Sequence, residues 1–349
     1  MGDSAFYVAI LGLTAILLSA SLAFARRKPT GNRQRRLWRL LAGNLLLLCS
    51  LLSTIFTAFE TYYRFFYDST DSFGLSKVMD RWMERHYQAN DWGIRDNIDY
   101  AFRRNETSSQ RITFLGDSFT AGHGIAEVDD RFVNLVRSAW PEWEIQSLAM
   151  DGLDTGREIK SLQQLLKKRY ELDVVVLVYC LNDISDLIDE WNETLPLIKE
   201  SKKKQGFLLR NSYAISTLYF RYKVLNNPSA ANYFKFVLDH YEGSTWETQR
   251  SRLLILQRII ESNGGRLLVV TFPFLHSLGP EYPFRGVHKK LGALWQDLQI
   301  PHLDLLTIFD SSDPDEVVLN RYDAHPNQAA HRQAAREIVA FLEAELSGE

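Results

Sequence analysis

Two long apolar runs near the N-terminus, Ala5 to Ala25 and Leu40 to Phe59, constrain this chain before anything else does. Each is close to the ~20 residues that a helix needs to cross the hydrocarbon core of a bilayer. The second is broken only by Asn44 and scattered Ser, Thr and Cys. Between them sit Arg26, Arg27, Lys28, Arg33, Arg35, Arg36 and Arg39, whereas Met1 to Ser4 carries no basic side chain. Short basic loops stay on the cytoplasmic side. The pattern therefore predicts a two-pass membrane protein: a transmembrane hairpin over 1–60, with the N-terminus and everything after Phe59 extracytoplasmic, in a periplasm or its equivalent. Contact of the basic loop with anionic membrane lipids is a secondary role for the same charges. Tyr62, Tyr63, Phe65, Phe66 and Tyr67 fall where an interfacial aromatic belt would sit. Two alternatives fit less well. A signal peptide cleaved near Ala23-Phe24-Ala25 would need a positive n-region, which is missing. Buried helices of a soluble core would not be flanked by charge on one side and aromatics on the other.

Behind the hairpin, the rest of the 349 residues, with 46% of the whole chain hydrophobic, leaves ample material for one catalytic domain with a packed core. A formal net charge of -3 gives no footprint for nucleic acid, and the one basic cluster already has a topological explanation. Cys49 lies in an apolar run and Cys180 ends a β-branched one, so neither a disulfide framework nor a Cys-based metal pattern is expected.

Residues 61–109 read as a juxtamembrane linker. Within them Trp92-Gly93-Ile94-Arg95-Asp96 is either a turn that packs on the catalytic domain or plain linker, and the residues leave both open. Over 110–349, short aliphatic runs alternate with helical patterns, the signature of a parallel sheet covered by helices. Strand candidates are Ile112 to Leu115, Ile145 to Leu148, Val174 to Tyr179, Leu267 to Phe272 and His302 to Leu305; Ile159 to Tyr170, Gln249 to Ser262 and Gln328 to Leu346 read as helices. An insertion at about 187–248 breaks the alternation. Its Ser201 to Gln205 part is a solvated loop; its aromatic parts, Tyr213 to Tyr222 and Tyr233 to Tyr241, either cap a site or, as such residues more often do, form the core of an inserted helical layer. Ligands of such sheets bind at the carboxyl ends of the strands.

Chemistry-bearing residues fall at those ends. After the first strand candidate comes Gly116-Asp117-Ser118-Phe119-Thr120; after the second, Met150-Asp151-Gly152; after the third, Leu181-Asn182-Asp183; near the C-terminus, Asp323-Ala324-His325-Pro326-Asn327. A serine at a tight strand-to-helix turn projects its hydroxyl into the crevice, where backbone N–H groups stabilise an oxyanion. Each block alone has a plainer reading as a turn or helix cap. Together, and in this order, they resemble the four blocks of the SGNH (GDSL) hydrolases over roughly Arg111 to Leu346. The resemblance implies a three-layer α/β/α, flavodoxin-like domain with a parallel sheet. It makes Ser118 the nucleophile and His325 its base, with Ser118, Gly152 and Asn182 forming the oxyanion hole. The family's usual acid stands three residues before the histidine, where this chain has Tyr322; the nearest acid is Asp323, two before, which would orient His325 from a shifted position or leave a weaker dyad. Cys180 stands where the family commonly has glycine. His123 reads as a surface loop residue, and His331 as lying on an exposed or half-buried helix face.

The function so implied is hydrolysis of an acyl or acetyl ester on an envelope glycan or lipid, with no organic cofactor and no metal, because a serine acyl-enzyme needs neither. O-acyl transfer through the same intermediate is the alternative, the hairpin then docking a membrane-protein partner that supplies acyl groups. A non-catalytic glycan-binding or assembly protein is a third, resting on Tyr322.

Overall fold

A computed structural model of the chain describes residues 3–27, 32–105, 108 and 110–346. Met1, Gly2, Lys28 and Ser109, used in the expectations above, lie outside them. The chain divides into two compact units, one of Met1–Ser69, Phe73–Arg81 and Lys199–Asn226, the other of Thr70–Ser72, Trp82–Ile198 and Asn227–Glu349.

In the first unit the apolar runs form helices Asp3–Arg26 and Arg33–Thr61. Small polar side chains meet between them: Thr14 Oγ1 lies 2.5 Å from Ser53 Oγ and 2.9 Å from Thr57 Oγ1, and Ser21 Oγ lies 2.7 Å from Ser50 Oγ. Leucines face outward, with Leu13, Leu45 and Leu48 exposed. Polar inside and apolar outside is the reverse of a water-soluble helix pair and the arrangement expected of helices packed in lipid. Glu60, fully buried near the end of the second helix, pairs with Arg64 at 2.9 Å. Its carboxylate also accepts from Ser212 Oγ at 2.6 Å and from the N–H groups of Tyr213 and Ala214 at 3.0 and 3.1 Å. Those amides open the helix Tyr213–Leu225, whose orphan donors a carboxylate satisfies well. Tyr213 to Tyr222, read from sequence as either capping a site or, more often, forming the core of an inserted layer, belongs to the unit of the two apolar helices, and Tyr219 and Tyr222 are exposed.

The second unit is built on a five-stranded sheet, β1 (Arg111–Gly116), β2 (Glu144–Ala149), β3 (Val174–Cys180), β4 (Arg266–Phe272) and β5 (His302–Asp304), in the order β2-β1-β3-β4-β5. Every pairing is parallel. Order 2-1-3-4-5 is that of flavodoxin-like doubly wound sheets. All residues of β1 and β3 are buried, as strands covered by helices on both faces must be. Helices Phe132–Ala139 and Gln328–Leu346 pack together, as do Thr155–Lys167 and Gly243–Ser262, so the domain is α/β with helical layers about a parallel sheet. Among the elements the sequence did not reveal are the helices Phe132–Ala139 and Arg285–Asp297 and a hairpin of β6 (Val318–Asn320) with β7 (Asp323–Pro326). His331 is fully buried, its Nδ1 accepting from Phe132 N–H at 3.1 Å, so the half-exposed helix face expected for it is corrected to core.

Candidate active site

The β1 strand ends at Gly116, where no side chain fits: a Cβ would lie 2.3 Å from Thr120 Oγ1 and 3.1 Å from the Val178 carbonyl oxygen. Asp117 then caps the short helix Ser118–Ala121, its Oδ1 accepting from Phe119 N–H at 2.9 Å. This turn holds Ser118, 6% exposed, at the carboxyl end of the sheet, with its Oγ 2.7 Å from Nε2 of His325. Nδ1 of His325 lies 2.5 Å from Oδ1 of the buried Asp323.

The hairpin explains how an acid two residues before the histidine reaches it. Alternate side chains of an extended strand share a face. On β7, Asp323 and His325 therefore point the same way, whereas an Asp-x-x-His spacing would suit a tighter turn. Tyr322 sits in the connecting turn, its N–H donating to Asn320 Oδ1 at 2.8 Å.

Asn182 is the second residue of the 3₁₀ segment Leu181–Leu187 that follows β3, and its Nδ2 donates to Asp117 Oδ2 at 3.0 Å. One amide N–H is thereby fixed and the other remains to donate. Gly152, at φ +71°, has open space around it. A left-handed backbone explains glycine there. Ser118 N–H, first in its helix, lacks an intrahelical acceptor, and Gly152 N–H donates to no described residue. The loops after β1, β2 and β3 thus each offer a donor.

His123 corrects an expectation. Rather than a surface loop residue it is 5% exposed, its ring 4.2 Å from that of His325 and inclined at 29°. Its Nδ1 bonds Asp151 Oδ2 at 2.8 Å, and its Nε2 lies 3.3 Å from Asp323 Oδ2, within ion-pair range but not aligned for a hydrogen bond. Burial opposes charging this ring, but Asp151 and Asp323 outweigh it and lift its pKa well above the ordinary histidine value. Burial likewise pushes the Asp323 carboxyl up, yet His325 and His123 hold it far below the usual carboxylate range. A glycine on each side, Gly122 and Gly124, directly after the Ser118 helix was the sequence signal that could have marked His123.

The segment left open above packs on this site. Arg95 is fully buried and its guanidinium donates to the carbonyls of Ala121 (3.3 Å), Gly122 and Ile125, bracing the loop that carries His123. Asp96 accepts from Arg131 at 2.6 Å and from Arg137 at 2.7 Å, and also from Tyr100. Burial works against its ionisation, but Arg137 and Arg131 bring its pKa down to about 2. So part of 61–109 is structural support of the second unit rather than linker.

His123, Asp323 and His325 offer ligand atoms within 4.8 Å of one another. A divalent cation there would have to break the hydrogen bonds of the cluster and take a proton from a histidine whose pKa two carboxylates lift well above the ordinary value, so the donor set favours proton transfer over metal binding.

No family model matches the chain, and neither does any curated protein. Solved structures are similar to it. TesA is 13% identical with a TM-score of 0.42, over 68% of this chain and 100% of its own. The esterase EstA from Pseudoalteromonas sp., inhibited by monoethylphosphonate, is 13% identical at 0.42, covering 68% and 98%. A member of the lipolytic protein G-D-S-L family from Veillonella parvula is 13% identical at 0.41, covering 68% and 98%. At these levels the functional reading rests on distances within the site.

Proposed function

We propose that this protein is a membrane-anchored serine esterase of the SGNH type that removes acyl or acetyl groups from an envelope glycan or lipid. The observation that carries the reading is the continuous chain from Ser118 Oγ through His325 to Asp323, at 2.7 and 2.5 Å. In the reaction so derived, Ser118 Oγ attacks the ester carbonyl carbon as His325 Nε2 takes its proton. Ser118 N–H, Gly152 N–H and the second N–H of Asn182 receive the developing oxyanion. Collapse expels the alcohol, which recovers the proton from His325 and leaves an acyl-serine. Water, deprotonated by His325, then attacks the acyl carbon, and the carboxylic acid departs as Ser118 is restored. Asp323 keeps the imidazole in the tautomer with Nε2 free to accept.

The anchor is the pair of apolar helices, each outward face made of leucine and other apolar side chains. With the basic residues between them inside, the catalytic unit works on the extracytoplasmic side, where its ester would be borne by surface polymer or lipid.

The test is labelling of the full-length protein in detergent with a fluorophosphonate, the modified residue being located by mass spectrometry. Ser118 becomes labelled in the wild type and not in His325→Ala. Folded wild-type protein that stays unlabelled at Ser118 would remove the esterase reading.

A further inference from the structure

The helix Tyr213–Leu225 is built inside out for water. Its inward side carries the small residues Ala214, Ser216 and Thr217 with Phe220, all buried. Its outward side carries Leu218, Tyr219, Tyr222 and Leu225, with Tyr222 68% and Leu225 63% exposed. Positions 218, 222 and 225 follow one another at four and three residues, so they form a single stripe along the helix. A helix facing solvent would place charge there.

The feature lies in the same compact unit as the two apolar helices and at one end of their hairpin. Glu60, near the end of the second helix, caps the first amides of Tyr213–Leu225. Phe207, in the short helix just before it, sets its ring edge-on to Phe6 of the first helix at 5.7 Å. Phe65 and Phe66, where the second helix ends, are exposed as well. Exposed Lys203 and Arg210 precede the apolar stripe in sequence, as cations that meet lipid phosphates do. We infer that Tyr213–Leu225 lies in the bilayer–water interface, with Leu218, Tyr222 and Leu225 inserted among lipid chains as a third membrane contact beside the two spanning helices. This rests on the membrane reading of those helices. Continuity with them is what selects lipid as the occupant of the stripe over a protein partner. The consequence is that the first unit is held against the surface by a contact lying along it, in addition to the helices that cross.

The test uses the full-length protein with Cys49→Ser, Cys180 being fully buried. It is reconstituted in vesicles of phosphatidylethanolamine and phosphatidylglycerol. Leu218→Cys, Tyr222→Cys and Leu225→Cys, each labelled with an environment-sensitive fluorophore, are compared with Leu48→Cys in mid-span and Glu337→Cys on the last helix. Each variant is first checked for a native circular dichroism spectrum. The inference expects the three interfacial labels to lose fluorescence to lipids carrying a nitroxide near the headgroup and to be shielded from aqueous iodide. Leu48→Cys should respond to a nitroxide deep in the chain, and Glu337→Cys to iodide alone. Quenching of the three by iodide alone, with Leu48→Cys still lipid-quenched, overturns the inference and leaves the membrane anchor standing. Shielding from both quenchers means that protein covers the stripe and overturns it equally. An iodide-quenched Leu48→Cys removes the anchor itself, and the inference with it.

Discussion

A cation beside a proton-transfer site disfavours protonation of everything around it, and under the proposed function His123, whose pKa its carboxylate neighbours lift well above the ordinary histidine value, would be such a cation. Its position between Asp151 and Asp323 keeps it charged, and its ring lies against that of His325. In the proposed reaction His123 would be a positioning residue, one of the two histidines that hold the Asp323 carboxyl below the usual carboxylate range. Replacing it with Phe keeps an aromatic disc in contact with His325 but removes the charge. The acid limb of the kcat/KM profile, which belongs to the coupled groups jointly, should then move to higher pH. The sign follows from the loss of a cation, which makes protonation of the remaining groups easier. A pH–rate series on an activated aryl ester measures this, with KM expected to stay within about twofold if uniform binding is untouched. A limb that stays in place while kcat falls would reduce His123 to packing.

Among the elements, the hairpin of β6 and β7 decides which acid serves His325. With Asp323 and His325 on one face of β7, Asp323→Asn should leave the fold intact and lower kcat on the order of 10⁴-fold, because an amide cannot hold the required tautomer. Adding Tyr322→Asp to that variant should not restore the rate, since position 322 belongs to the turn. Recovery of activity on adding it, measured as kcat on the same ester, would show that the acid site tolerates either spacing and that strand geometry is not what selects Asp323. The hairpin also marks the limit of what the sequence could tell. Strands β1, β3 and β4 were legible because each is a compact apolar run bounded by turn residues, β2 and β5 less so because polar residues interrupt them, and the blocks holding Ser118, Gly152 and Asn182 drew notice only through their joint resemblance to one family's motifs. β6 has three residues and β7 four, too short for alternation to stand out. His123 and Arg95 were illegible for another reason. A lone histidine or arginine reads as surface until its carboxylates or carbonyls arrive, and Asp151, Ala121 and Ile125 do so only through tertiary packing.

Across the whole of the second unit, buried carboxyls fall into two opposed sets, and their balance sets how stability responds to pH. Asp96 and Asp323 are depressed by neighbouring cations. Their contribution is complete above the unfolded carboxyl pKa and is lost as pH falls through the folded value. Glu158 and Asp183 are raised, both by burial first, and then Glu158 by Asp117 and Asp154, and Asp183 by Glu158 and Asp117. Glu158 is fully buried in the first turn of Thr155–Lys167, and neither carboxylate oxygen has a hydrogen-bond partner among the described residues. Between its unfolded value near 4.5 and its higher folded one, the folded state holds the proton that the unfolded state releases. Stability must therefore decline across that window as pH rises, by about 1.4 kcal/mol per pH unit for one such group. Glu158→Gln keeps the shape and cannot ionise. Its melting temperature in detergent should match or fall slightly below that of the wild type near pH 4, then exceed it by on the order of several degrees at pH 8, the gap opening with pH. A difference that is flat from pH 4 to 8 would mean that Glu158 titrates as it does in the unfolded chain, with water or a counter-charge reaching its carboxylate.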